Sequence, residues 1–134
     1  MDRKLFTFNA DAVREPSARQ TKYKDKRANP NGRVPDDVWK VSRVCGTFGE
    51  RIKGHGCHTP LEIAEKVIRA CSIPGDVVLD PMAGTGTACV ASKMLGRRFL
   101  GVELCQETAA KARERIAAVS ESNTASKLTV IPTH

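Results

Sequence analysis

The sequence of 134 residues predicts an α/β fold, the beginning of a doubly wound sheet of parallel strands. From Thr59 onwards, helical and strand-like segments alternate in the order helix, strand, helix, strand, helix. Strands that are joined through a helix run parallel with right-handed crossovers. A glycine-rich loop follows the first strand and a carboxylate, Glu103, closes the second. Because ligands of such sheets bind where strands end, this loop is the predicted site.

The first helix is predicted from its start and stop signals. In TPLE, Thr59 can cap the helix, Pro60 takes the first helical position and Glu62 reaches back, which together form a capping box. Apolar residues then recur at helical spacing as far as Cys71, and SIPG stops the helix. The next segment, DVVLD, is predicted to be a buried strand.

The later elements are predicted in the same way. After the glycines, a helix is expected over residues 87–95, ended by Gly96, and RFLGVEL forms the second strand. The last predicted helix covers residues 106–119, where Glu107 and Lys111 are spaced for an i,i+4 ion pair. The tail SKLTVIPTH is expected to add a short strand.

Basic charge is concentrated in the front of the chain. Residues 1–53 contain 13 Lys and Arg against 7 Asp and Glu, a net charge of +6, whereas residues 54–134 carry +1. We therefore divide the chain into a basic arm or loop segment, 1–53, and an α/β half-domain, 54–134. Little regular structure is expected up to Val34, and DDVWKVSRV is predicted to be a short strand. Nucleic acid is the natural partner of the basic segment, and a solvated arm without a partner is the alternative.

Composition argues against several other classes of protein. No apolar run is long enough to cross a bilayer and the N-terminus lacks the apolar block of a signal peptide, so a soluble intracellular protein is expected. The five cysteines are widely spaced, which argues against a disulfide framework and favours small buried thiols. Metal-ligating residue types crowd together in HGCH, with His55, Cys57 and His58, but a second ligand pair is missing and no metal site is predicted.

The glycine-rich loop predicts the class of ligand. A phosphate-binding loop is excluded because no Lys follows Gly86, and a dinucleotide fingerprint fails because Cys89 replaces its third glycine. Asp80 precedes the glycines, and Glu103 is placed to accept both hydroxyls of a ribose. A ribose-bearing ligand without a diphosphate is therefore predicted. In the alternative, Asp80 caps the next helix, Glu103 is a surface residue and the glycines only form a tight turn.

The segment VLDPMAGTGT resembles a known cofactor motif. It is similar to D-P-F-x-G-x-G-T, the S-adenosylmethionine-binding motif of DNA methyltransferases that modify an exocyclic amine of adenine or cytosine, with Met82 replacing Phe. NPNGRVPDDVW, GERIKGHGCHTPLEIAEKVI and LGRRFLGVEL resemble successive pieces of the circularly permuted (β-class) branch. This resemblance covers about residues 9–116 and implies a partial Rossmann-like methyltransferase fold. It also implies S-adenosylmethionine as cofactor, double-stranded DNA as partner, and a cytoplasmic protein of a prokaryote or phage.

The resemblance also implies the roles of individual residues. The loop would line the methionine part of the cofactor, Glu103 would bind its ribose, and the start of the first helix would face it. His55 matches a family His, whereas Gly56 and His58 stand where the family has Pro and Gln. The implied cofactor-binding residues are Asp80, Pro81, Met82, Ala83, Gly84, Thr85, Gly86, Thr87, Glu103, Thr59 and Pro60.

The family's catalytic motif, [D/N/S]-P-P-[Y/F/W], has no counterpart in the sequence. There is no P-P dipeptide, and the D-P pair at Asp80 belongs to the cofactor loop. No catalytic residue is therefore predicted, and the chain is interpreted as the back half of a methyltransferase. It would be inactive unless a separate chain carries the catalytic half, or else a truncated remnant. Two alternatives are a non-catalytic DNA-binding or accessory protein that retains the fold, and a nucleotide-dependent oxidoreductase, which would require the absent third glycine.

Overall fold

The helices and strands alternate in the predicted order. The computed structural model describes residues 6–45, 49, 51, 52, 54 and 56–119. The tail strand predicted over residues 126–134 lies outside the described residues. The elements are a 3₁₀ turn (Ala10–Val13), α1 (Ala18–Thr21), α2 (Leu61–Cys71), β1 (Val77–Asp80), α3 (Thr87–Met94), β2 (Arg98–Gly101) and α4 (Gln106–Ala118).

The two strands pair in parallel, as the helical connection between them predicts. The register runs from Val77 opposite Arg98 to Asp80 opposite Gly101. Both strands therefore end at the same edge of the sheet. The loop that follows β1 and the residues that follow β2 meet there.

Small side chains let the helices approach the sheet closely. Ala64 and Ile68 of α2 form a buried cluster with Ala91 of α3, against which Val78 packs. A second cluster joins Cys89 and Val90 of α3 to Ile116 of α4, and Phe99 packs against it. Val78 and Phe99 are paired neighbours. The clusters therefore lie on one face of the sheet.

The prediction that β1 is a buried strand is wrong, because its residues alternate between exposed and half-buried and none is buried. Val77 and Leu79 are 56% and 62% exposed. Successive side chains of a strand point to opposite faces, so these two lie away from the face that Val78 presents to the helices. Within the described part of the chain, β1 pairs only with β2, and its other edge has no strand partner.

The predicted capping box at the start of α2 does not form. The helix begins at Leu61, one residue later than expected, and Pro60 is its N-cap without a side-chain hydrogen bond. Pro60 has ψ 136°, which is extended backbone, so the helical turn starts only after it. Thr59 is thereby moved outside the cap position, and Glu62 is exposed.

The ion pair predicted in α4 is present, with Lys111 Nζ 2.8 Å from Glu107 Oε1.

The front segment has more regular structure than the sequence predicts. Besides the 3₁₀ turn, α1 begins with a capping box in which Ser17 and Gln20 bond each other's backbone N–H. Glu15 and Arg33 form an antiparallel bridge. The strand predicted over residues 36–44 does not form; instead Trp39 Nε1 donates to the carbonyl of Asp36 at 2.6 Å.

The same segment is attached to the end of α2. Asn9 donates its backbone N–H to the carbonyl of Ala70 at 2.8 Å, and its side-chain amide donates to the carbonyl of Ser72 at 2.8 Å. These bonds satisfy carbonyls that a helix C-terminus leaves without partners. The front of the chain is thus packed onto the α/β part.

No helix of the described residues has the length and apolar character that a membrane span requires.

The expectation of buried thiols is wrong for most cysteines: Cys89 is buried, whereas Cys57, Cys71 and Cys105 are exposed. Each exposed thiol lies in a loop or at a helix end, where no second layer covers it.

Candidate functional site

The glycine-rich loop turns sharply at the end of β1. The Asp80 carboxylate accepts a hydrogen bond from the Met82 backbone N–H at 3.2 Å, and the Gly86 N–H donates to the Ala83 carbonyl at 2.7 Å. Asp80 therefore closes the start of the loop. It does not cap α3, whose N-cap is Gly86, in contrast to the alternative drawn from the sequence.

Glu103 joins the two strand ends across this edge. Its Oε2 accepts from the Gly84 N–H at 2.9 Å, and its Oε1 accepts from the Cys105 N–H at 2.8 Å. The side chain is half-buried. A carboxylate oxygen has two lone pairs, so each oxygen retains room for one further donor. Glu103 thus fixes the loop and can still accept hydroxyl groups of a ligand.

Arg115 supports the loop from α4, a role that sequence reasoning missed. Its Nη1 donates to the Thr85 carbonyl at 2.9 Å and lies 3.2 Å from the hydroxyls of Thr85 and Thr87. A signal for it exists in the sequence. Arg115 shares a helix face with Ala112 and Ile116, which are both buried, so a charged residue on that face must have internal partners.

Gly86 packs closely against α4. It has φ 77°, and a Cβ built on it would lie 3.0 Å from the Ala112 Cβ. The prediction that Gly86 lines the cofactor pocket stays a prediction. Its absence of a side chain lets the loop pack onto the helix.

A cavity of about 500 Å³ opens between α2, β1 and the loop. Its wall is apolar on the α2 side and polar on the loop side. Pro60, Pro81, Gly86 and Glu103 are not among its lining residues. The lining residues that the sequence predicts are Thr59, Asp80, Met82, Ala83, Gly84, Thr85 and Thr87. Those that it does not predict are Cys57, Ala64, Val67, Ile68, Val78 and Ala88.

Two thiols near the site differ in their ionisation. Burial, and secondarily the negative charge of Asp80, raise the pKa of Cys89 to about 11. Cys89 is therefore a neutral packing group beneath the loop at ordinary pH. Hydrogen bonds to the Thr108 side chain and backbone lower the pKa of the exposed Cys105, which precedes α4.

The described residues contain no group of three metal-ligating side chains. His55 of the HGCH segment lies outside the described residues, and the His58 Nε2 accepts from the Ile52 N–H at 3.4 Å. Cys57 lines the cavity instead of grouping with other ligands.

A protein-family model described as DNA methylase matches residues 1–114. The chain is 37% identical over 113 residues to the type II methyltransferase M.HpaI of Haemophilus parainfluenzae, covering 84% of this chain and 34% of that protein. It is 36% identical over 113 residues to the DNA adenine methyltransferase YhdJ of Escherichia coli strain K12, covering 79% of this chain and 38% of that protein. The chain spans about a third of the length of these curated relatives.

Solved structures agree with the predicted fold. The crystal structure of the M1.HpyAVI complex with S-adenosylmethionine superposes with a TM-score of 0.50 at 32% identity, over 61% of this chain and 42% of that one. The prediction of a partial Rossmann-like methyltransferase fold is confirmed, and S-adenosylmethionine is the cofactor bound in this relative. With a family model that matches most of its length, this chain belongs to the N6/N4 DNA methylase family.

Proposed function

We propose that this chain is the S-adenosylmethionine-binding part of a DNA methyltransferase that acts on an exocyclic amine of adenine or cytosine. The observation that carries the proposal is the cavity between α2, β1 and the loop, with Asp80 in its wall and Glu103 bonded to Gly84, which lines it. In a member of this family, that edge carries the D-P-x-x-G-x-G-T segment. We place the protein in the cytoplasm of a prokaryote or phage-infected cell.

The cavity fits the cofactor in size and in chemistry. Small-molecule sites measure about 300–1,000 Å³, and this one measures about 500 Å³. Asp80 supplies a negative charge for the cationic methionine end, and Glu103 has free lone pairs for the ribose hydroxyls. Ala64, Val67 and Ile68 offer apolar contact from α2.

The bound cofactor would supply the methyl group: a carbon–nitrogen bond forms, the carbon–sulfur bond breaks with its electrons left on sulfur, and the amine loses a proton. The residues of this chain would hold and orient it. Asp80 would hold the methionine part and Glu103 the ribose, while Arg115 and the Glu103 carboxylate keep the loop in the geometry that receives the cofactor. Such positioning of reactants is a large part of catalysis in transfer reactions.

We further propose that the target base is bound by a polypeptide outside these 134 residues, so that the chain alone does not transfer methyl groups. The sequence lacks the P-P motif, and the matched region covers only 34% of its relative M.HpaI. Val77 and Leu79 are exposed on a bare face, and the described part of the chain leaves one edge of β1 unpaired. An exposed strand edge with apolar neighbours is suited to accept another strand.

Isothermal titration calorimetry of the whole chain with S-adenosylmethionine tests the cofactor site. Asp80→Asn and Glu103→Gln each remove a charge-assisted hydrogen bond, so affinity should fall by about tenfold or more. Glu114→Gln, an exposed carboxylate of α4, is the matched control and should bind as the wild type does. Unchanged affinity in both site variants, in chains that melt normally, contradicts the assignment.

Methyl transfer to duplex DNA separates the incomplete enzyme from an accessory protein. The chain alone should transfer nothing, and adding a polypeptide that carries the [D/N/S]-P-P-[Y/F/W] motif of a related enzyme should give transfer. Methylation by the chain alone contradicts the proposed incompleteness. Binding of cofactor and DNA without transfer in the complemented mixture favours the accessory protein, which the missing motif also suggests.

A further inference from the structure

Residues 19–27, called the basic loop here, concentrate exposed positive charge at one place. They contain five Lys or Arg and a single acid, Asp25. Arg19 and Arg27 approach the Asp25 carboxylate, with nitrogen–oxygen distances of 3.6 and 3.1 Å. Lys22, Lys24 and Lys26 are exposed.

Asp25 gives the basic loop a fixed shape. Its side chain is only 18% exposed and accepts from the Arg27 backbone N–H at 2.9 Å and from the Arg27 guanidinium. The Asp25 N–H donates to the Arg19 carbonyl at 2.8 Å. Hydrogen bonds from the Arg27 side chain and backbone lower the pKa of Asp25 below its ordinary value.

The base of the loop is tied to the rest of the front segment. Gln20 Nε2 donates to the Pro30 carbonyl at 3.0 Å, and the Glu15–Arg33 bridge closes the two sides. Asn9 then attaches this segment to α2. The basic loop is therefore held at a defined position relative to the cofactor-binding edge.

The basic loop has no apolar core that would explain its order. None of its residues is buried, and Tyr23, its one aromatic residue, is 67% exposed. Fixing a backbone costs conformational entropy, which here is opposed only by polar contacts among neighbouring residues. A rigid loop that presents lysines to solvent is suited to bind a polyanion with regularly spaced charges.

We propose that the basic loop binds the phosphate backbone of duplex DNA, with Lys22, Lys24 and Lys26 as the phosphate contacts. That the polyanion is DNA rests on the proposed function. That it binds at the basic loop rests on the charge of the loop and on the hydrogen bonds that fix its shape. Lysine contacts to phosphate position a protein on the duplex and do not read its sequence.

Fluorescence anisotropy of a labelled duplex, titrated with the whole chain over a series of salt concentrations, tests the proposal. The triple variant K22Q/K24Q/K26Q should bind about tenfold or more weakly at moderate salt. Each lost phosphate contact lowers the slope of log affinity against log salt by about 0.9, so the slope should fall by up to about 3. The matched control R69Q/R98Q/R113Q removes three exposed arginines outside the front segment and should keep the wild-type slope.

Three outcomes overturn the proposal: a triple variant with the wild-type slope, an equal loss in the control, which would indicate net charge alone, or a wild-type chain that does not bind the duplex. Cofactor titration of the same proteins keeps the two proposals apart. The basic loop does not line the cavity, so the triple variant should bind S-adenosylmethionine normally. If all the proteins bind the cofactor and the triple variant binds DNA as the wild type does, only the role of the loop is overturned. If the triple variant loses DNA binding but none of the proteins binds the cofactor, only the cofactor site is overturned.

Discussion

Replacing Gly86 by Ala tests the packing of the glycine-rich loop against α4. Two costs add at this position. The backbone has φ 77°, where a residue with a Cβ is disfavoured by about 1–2 kcal/mol. The new Cβ would also lie 3.0 Å from the Ala112 Cβ, well inside the 3.5–4.0 Å at which carbons pack, and overpacking typically costs about 1–3 kcal/mol. The free energy of unfolding should therefore fall by about 2–5 kcal/mol.

Gly75→Ala is the matched control for this experiment. Gly75 has φ 90°, but a Cβ there would have no atom within 4 Å, so only the backbone cost of about 1–2 kcal/mol applies. Urea unfolding followed by circular dichroism measures both variants against the wild type. The difference between them isolates the contact with α4. Equal losses of stability in the two variants would refute the reasoning, because they would show that a Cβ at Gly86 has no steric cost against Ala112.

Two further predictions concern Arg115 and Cys89. Arg115→Met removes the bonds to Thr85 and Thr87. Because a charged hydrogen bond is worth about 1.5–3 kcal/mol, the affinity for S-adenosylmethionine in calorimetry should fall by about tenfold. Arg113→Met, on the exposed face of α4, should leave the affinity unchanged, and an Arg115→Met variant with the wild-type affinity would show that Arg115 does not support the loop. The raised pKa of Cys89, about 11, makes the folded chain retain a proton that the unfolded chain loses near its ordinary pKa of 9.0, so this group's stabilisation is complete below pH 9 and lost towards pH 11. Urea unfolding at pH 8 and pH 10 should show that decline in the wild type and a smaller one in Cys89→Ala, and parallel declines would contradict the buried thiol.

The order of the helices and strands from residue 61 onwards was predicted correctly from local sequence. The alternating periods gave α2, β1, α3, β2 and α4 in order, with bounds that differ by a few residues at most. The Glu107–Lys111 pair formed because residues four apart on a helix are always neighbours. The family, the fold and the cofactor named by DPMAGTGT agree with the comparisons.

Most of the features that failed depend on long-range contacts. The shifted cap of α2 is a local exception, caused by the extended backbone of Pro60, whereas the exposure of Leu79 depends on which elements cover the sheet. Arg115 reaches a loop 30 residues away, a distance that no local pattern encodes. The packing of Gly86 against Ala112 was not predicted, because the motif carries no information about its partner on α4. The division into a basic segment and a half-domain stays a prediction.

The bonds that Glu103 makes within the chain have a consequence for ligand affinity. A free glutamate side chain samples several rotamers, and a ligand that needs one of them must restrict the rest on binding. Here the Gly84 and Cys105 amides already select one rotamer. The side-chain entropy is therefore lost during folding and not during association, so the carboxylate is preorganised for the ribose hydroxyls that the proposed function assigns to it.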